Sequence, residues 1–113
     1  MAPRSQLTET PPFAVDAAIK TMGANLRTAR LRRNITQAEM AAKLGVNRHV
    51  IADAENGKPT TGVAVYVGML WAMGLLGHLE LVADPAADEE GLALSMADGR
   101  ERATSRGGLS NDF

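Results

Sequence analysis

The chain has 113 residues, a length that allows one compact domain of ordinary size, or a smaller domain with flexible ends, and excludes a large multi-domain enzyme. Its 45% hydrophobic and 22% charged residues are a globular composition, but only 4% is aromatic, so the core is expected to be built from Ala, Leu, Val, Ile and Met in closely packed helices. The absence of cysteine excludes disulfides, thiolate nucleophiles and Cys-containing zinc sites, and nothing argues for an oxidising compartment. A cytoplasmic protein is expected. The net charge of -1 conceals an asymmetry: residues 1–58 hold nine Lys or Arg against five Asp or Glu (+4), and residues 59–113 hold three against eight (-5).

Residues 1–14 read as a disordered arm, with Pro, Ser, Thr and Gln but no apolar period and no signal-peptide pattern. From about Val15 the apolar positions Val15, Ile19, Met22, Leu26 and Ala29 recur at steps of four and three, one face of a helix running to about Arg33. Thr36 then caps a second helix from about Gln37 to Leu44, with Glu39 three residues on to complete a capping box. Gly45 stops that helix in the left-handed conformation, and Asn47 is suited to cap a short third helix running through Ala54. Asn56-Gly57-Lys58-Pro59 is a turn.

Thr60 or Thr61 is expected to start a fourth helix, and the stretch from Val63 to Leu76 is apolar almost throughout. It falls short of the ~20 residues that a membrane span needs. A helix apolar on every side must be buried on every side, and four short helices cannot cover it. A homodimer is therefore expected, with Tyr66, Leu70 and Trp71 in its interface. Leu79, Leu81 and Ala83 alternate as in a short strand, which in a helical chain would pair with its copy in a second subunit, adding Leu79 and Leu81 to the interface. One domain is thus expected over residues 15–83. Residues 84–113, acidic and then basic, read as a disordered tail in which Leu92, Leu94 and Met96 form an apolar island.

The segment from Thr36 to Gly57 carries the chemistry. Its cap, the small Ala41 at a crossing point, the turn at Gly45 and the apolar Val46 and Ile51 between two steeply crossing helices specify a helix-turn-helix. On a helical wheel Arg48, His49, Ala52 and Asp53 share one arc, and Val50, Ile51 and Ala54 the other. The first arc suits base edges in a major groove: Arg48 can donate to guanine O6 and N7, His49 can donate or accept, and Asp53 can accept from cytosine N4 but repels phosphate.

The segment resembles the Xre/Cro helix-turn-helix family of phage and bacterial repressors, in the Thr-Gln start, Ala41, Gly45-Val46, Ile51 and Glu55-Asn56-Gly57. The resemblance runs over roughly Ile19 to Met73 and implies an all-α fold, an Xre/Cro-like bundle of four to five helices. It implies a buried ion pair between Arg30 and Glu55, and double-stranded DNA carrying an inverted-repeat operator as the partner. It also places Gln37 as a phosphate contact, to which position adds Thr36, Asn47, Asn56 and Lys58. With the apolar fourth helix, the strand and the loose tail that includes Arg100, Arg102, Arg106 and Asp112-Phe113, the chain is similar to HipB-like antitoxins. That implies a bacterial, nucleoid-associated repressor of its own operon that neutralises a HipA-like kinase. A stand-alone Xre-family regulator and a toxin-neutralising protein with secondary DNA binding are the competing readings. No catalytic arrangement, metal-ligand spacing or cofactor box can be assembled, so neither an enzyme nor a cofactor is expected.

Overall fold

The computed structural model describes residues 5–106. Met1–Arg4 of the expected arm, the side chains of Arg100, Arg102 and Arg106, and Asp112-Phe113 lie outside what it describes. Among the described residues six α-helices follow in order: α1 (Gln6–Glu9), α2 (Phe13–Arg32), α3 (Gln37–Leu44), α4 (Arg48–Glu55), α5 (Val63–Ala72) and α6 (Glu89–Arg106), with a 3₁₀ helix at Leu76–Leu81 between the last two. The chain divides into two units after Leu76.

In the first unit, Ser5 caps the single turn α1 by accepting from the Thr8 amide. Helix α2 begins at Phe13, directly after Pro12, two residues before the expected start at Val15. Its buried side differs from the expected stripe: Gly23, Leu26 and Arg30 are buried, whereas Val15 and Met22 are exposed. The reason lies at Gly23, where an added Cβ would stand 2.7 Å from the Glu55 carbonyl oxygen and closer still to that of Ala54. A residue with no side chain lets two backbones meet, and the helix turns that side to the core.

Helix α3 has the expected bounds. The Thr36 hydroxyl accepts from the Glu39 amide at 3.0 Å and the Glu39 carboxylate accepts from the Thr36 amide at 2.8 Å, so two otherwise orphaned donors are satisfied. Gly45, at φ +70°, ends the helix, with the Val46 amide returning to the Ala41 carbonyl. Asn47 has the extended backbone of a cap, but its side chain makes no capping bond. The expected fourth helix starts later than Thr60 or Thr61, with Gly62 as its N-cap.

Helices α3 and α4 cross over a core of Leu26, Met40, Ala41, Ile51, Ala54, Tyr66, Met69 and Met73, with Val46 and Leu44 packed at its edge. Full burial of side chains the size of Met40, Ile51 and Met69 stabilises by about 1.5–3 kcal/mol each. Gly68 in α5 faces Leu44 closely enough that a Cβ would lie 3.2 Å from its methyl carbon, which draws α5 onto α3. Of the residues expected in the dimer interface, Tyr66 lies instead inside the protomer. Tyr66 is 7% exposed and belongs to the protomer's own core, because α5 turns Tyr66, Met69 and Met73 inward together.

In the second unit the expected strand at Leu79–Ala83 is absent, and there is no strand among the described residues. A strand needs a second strand to take its amides and carbonyls; within one chain, i→i+3 bonds such as Val82 N–H to Leu79 O, at 3.1 Å, take them instead. Leu79 is half-buried and Leu81 exposed. The segment expected to lack order contains α6, started by Asp88, whose carboxylate accepts from the Gly91 amide at 3.0 Å, with Glu89 and Glu90 in the first turn. Leu92, Leu94 and Met96 are exposed on it.

Candidate nucleic-acid interface

The interface is built outward from a buried ion pair. Arg30, seven residues and two turns beyond Gly23, is brought by that close approach to the end of α4. Its Nε donates to Glu55 Oε2 at 2.6 Å and its Nη2 to Oε1 at 2.9 Å, while Nη1 donates to the Ile35 carbonyl at 2.7 Å. Each residue is only 5% exposed. The two-pronged bond to Glu55 raises the guanidinium pKa above its ordinary value, against the opposing effect of burial.

Glu55 Oε1 accepts a further bond, from Gln37 Nε2 at 3.0 Å, and Gln37 Oε1 accepts from Arg48 Nη1 at 3.2 Å. A continuous chain of hydrogen bonds therefore runs from the core through the first residue of α3 to the first residue of α4. Periodicity gives no sign of this link, since it joins residues 11 apart on different helices. A shallow groove beside it is lined by Leu31, Asn34, Ile35, Thr36 and Ala38.

The outer arc of α4 is arranged as the wheel indicates. Arg48 and His49 are exposed, Ala52 and Asp53 half-buried, and Ile51 and Ala54 fully buried beneath them. Asp53 does not stand as an isolated negative charge: Lys58 Nζ lies 3.6 Å from its carboxylate, and the Lys58 amide donates to the Asp53 carbonyl at 3.0 Å. That pair is exposed and worth little in stability, but it offsets the repulsion of Asp53 for phosphate. Asn47, Asn56 and Lys58 lie exposed at the two ends of α4, and Thr36 at the start of α3. Of the expected dimer contacts, Trp71 is 56% exposed with Lys43 Nζ 5.8 Å from its ring centroid, and Leu70 is half-buried against the core.

Residues 26–66 match the helix-turn-helix family, a span that opens with Leu26 on α2 and closes with Tyr66 on α5. Over this span the match is to an Xre-type helix-turn-helix domain. The domain's second and third helices are α3 and α4, and both ends of the hydrogen-bonded chain from Arg30 to Arg48 fall inside the matched span. No curated protein and no solved structure matches the chain. No helix among the described residues is long and apolar enough to cross a membrane.

Proposed function

We propose that the protein is a sequence-specific DNA-binding regulator of the Xre type, a repressor that occupies an inverted-repeat operator as a homodimer. It acts by binding, without a catalytic step. The observation that carries the reading is the exposed arc of α4, with Arg48 and His49 raised on a buried floor of Ile51 and Ala54 inside a matched helix-turn-helix. Arg48 and His49 would contact base edges, with Ala52 and Asp53 beside them, while Thr36, Asn47, Asn56 and Lys58 hold phosphates and set the register. Exposed Trp71 and Val63 on α5 support a homodimer through that helix. Footprinting of the full chain on duplexes selected from a random library tests the reading. Two protected half-sites one helical turn, about 34 Å, apart are expected. Protection without sequence preference would overturn it.

The finer reading is an antitoxin that represses its own operon and neutralises a HipA-like kinase. Its support is the resemblance to HipB-like proteins together with the exposed Leu92, Leu94 and Met96 in an acidic segment, apolar surface suited to a protein partner. Co-expression with the neighbouring gene product, followed by a size measurement with and without operator DNA, decides it. A complex is expected; if deleting residues 84–113 changes no activity, the stand-alone regulator stands instead.

A further inference from the structure

We infer that Lys20 is a further phosphate contact, supplied by the part of α2 that precedes the matched span and set beside Asn56 and Lys58 by the close crossing of α2 over Gly57. This rests on the DNA-binding reading above and deepens it by extending the phosphate-holding surface to a helical segment outside the matched module. Helix α2 starts at Phe13, whereas the match starts at Leu26.

Gly57 is buried at φ +73° between two exposed neighbours, Asn56 and Lys58. A Cβ on it would stand 2.6 Å from the Lys20 Cα and 2.8 Å from its Cγ, so both the backbone and the stem of Lys20 lie against the turn. The turn itself is pinned to α4, since the Gly57 amide donates to the Ala54 carbonyl at 3.1 Å and the Lys58 amide to the Asp53 carbonyl at 3.0 Å. A lysine can lay its methylenes along such a surface and keep its ammonium in water, and the Lys20 side chain is 56% exposed. Duplex DNA carries one negative charge per about 1.7 Å of its axis, so a cation placed next to two backbone contacts has a phosphate to meet.

In the free chain the Lys20 ammonium donates to Asp16 at 2.7 Å. An exposed pair one turn apart on a helix holds weakly, so a phosphate can take the place of the carboxylate. Lys58 has the same arrangement with Asp53, at 3.6 Å. Two lysines thus flank Gly57, one from α2 and one from the turn, each kept by a nearby carboxylate until DNA arrives. As a compact, strongly hydrated charge, Lys20 would add the same affinity to every sequence and none of the base preference. A lysine that served only to pair with Asp16 would leave DNA affinity unchanged.

The test measures binding of the full chain to its selected duplex and to a scrambled one over a range of salt. Lys20→Gln keeps the stem against Gly57 and removes the charge; it is expected to weaken both duplexes by one factor and to reduce the salt slope by about one per protomer. For a dimer the wild-type advantage is then expected to shrink about tenfold between about 50 and about 200 mM salt. Lys20→Arg, which keeps a cation, is expected to keep the slope. Asp16→Asn is expected to strengthen both duplexes alike, and to gain less when Lys20 is already glutamine. A Lys20→Gln protein with the wild-type slope, or one with an altered ratio between the two duplexes, overturns the inference. So does a Lys20→Arg protein that loses as much as Lys20→Gln, because the effect then comes from packing at Gly57. If wild type binds no duplex, the DNA-binding reading itself fails, and the inference with it.

Discussion

The backbone of Gly23 in α2 lies against Glu55 in the last turn of α4, at a separation where any side chain on residue 23 would meet the Glu55 carbonyl oxygen. This contact decides the rest of the interface, because Arg30 follows two turns later on the same side of α2 and so arrives at the Glu55 carboxylate. Gly57 repeats the arrangement one turn away: at φ +73°, it would set a Cβ 2.6 Å from the Lys20 Cα.

Gly23→Ala is expected to destabilise the fold by about 1–3 kcal/mol, the usual cost of inserting a methyl into a filled space, even though alanine is the better helix former. Gly77→Ala, with no atom within 4 Å of its Cβ, serves as the control and is expected to leave stability nearly unchanged. Urea unfolding of both variants gives the comparison.

Glu55→Ala strands the Arg30 charge in the core and is expected to cost about 3–5 kcal/mol. The double variant Arg30→Met/Glu55→Leu removes both charges and is expected to recover most of that loss in the same assay. A Glu55→Ala protein as stable as wild type would show that the pair is not desolvated.

The capping box makes stability depend on acid. The Glu39 carboxyl is held below its ordinary pKa, first by the Thr36 backbone amide and then by the Thr36 side chain. A carboxyl lowered in the folded state contributes stability that is present above its unfolded pKa, about 4.3, and is lost as pH falls through the folded value. The gap in thermal midpoint between wild type and Glu39→Ala is therefore expected to be open at neutral pH and to close below pH about 4. Thr36→Ala removes the cap from the other side and is expected to cost about 1 kcal/mol.

Lys58→Ala removes a phosphate contact and uncovers the Asp53 carboxylate 3.6 Å away. Binding to every duplex is expected to weaken by a similar factor, with the salt slope reduced by about one per protomer. Arg48→Ala is expected to do the opposite, flattening base preference while leaving the salt slope nearly intact. Anisotropy titrations at several salt concentrations separate the two.

The parts of the fold that a sequence makes legible are those set by neighbours along the chain. The bounds of α3 follow from Thr36, Glu39 and Gly45, and the split between the two arcs of α4 follows from a 100° step. The buried side of α2 was less legible because a count of apolar residues passes over Gly23 and Arg30, the two positions through which α2 meets α4. Asp88 with Glu89 and Glu90 is a helix start that acidity disguised as an unstructured run. The alternation from Leu79 to Ala83 described a strand, but strand pairing is a property of two segments, and a single chain closed it locally as a 3₁₀ helix. Gln37 shows the same limit at the site. Its place at the head of α3 suggested a phosphate contact, whereas its bonds to Glu55 and Arg48 depend on how three helices cross.

The most direct test of DNA binding by α4 is the affinity of the full chain for its selected duplex, measured against salt for wild type and Arg48→Ala. Expected is a linear fall of log K with log salt, of slope about -7 for a dimer making about eight phosphate contacts, with Arg48→Ala keeping that slope but binding selected and scrambled duplexes alike. An Arg48→Ala protein that still prefers the selected duplex as strongly as wild type would contradict it.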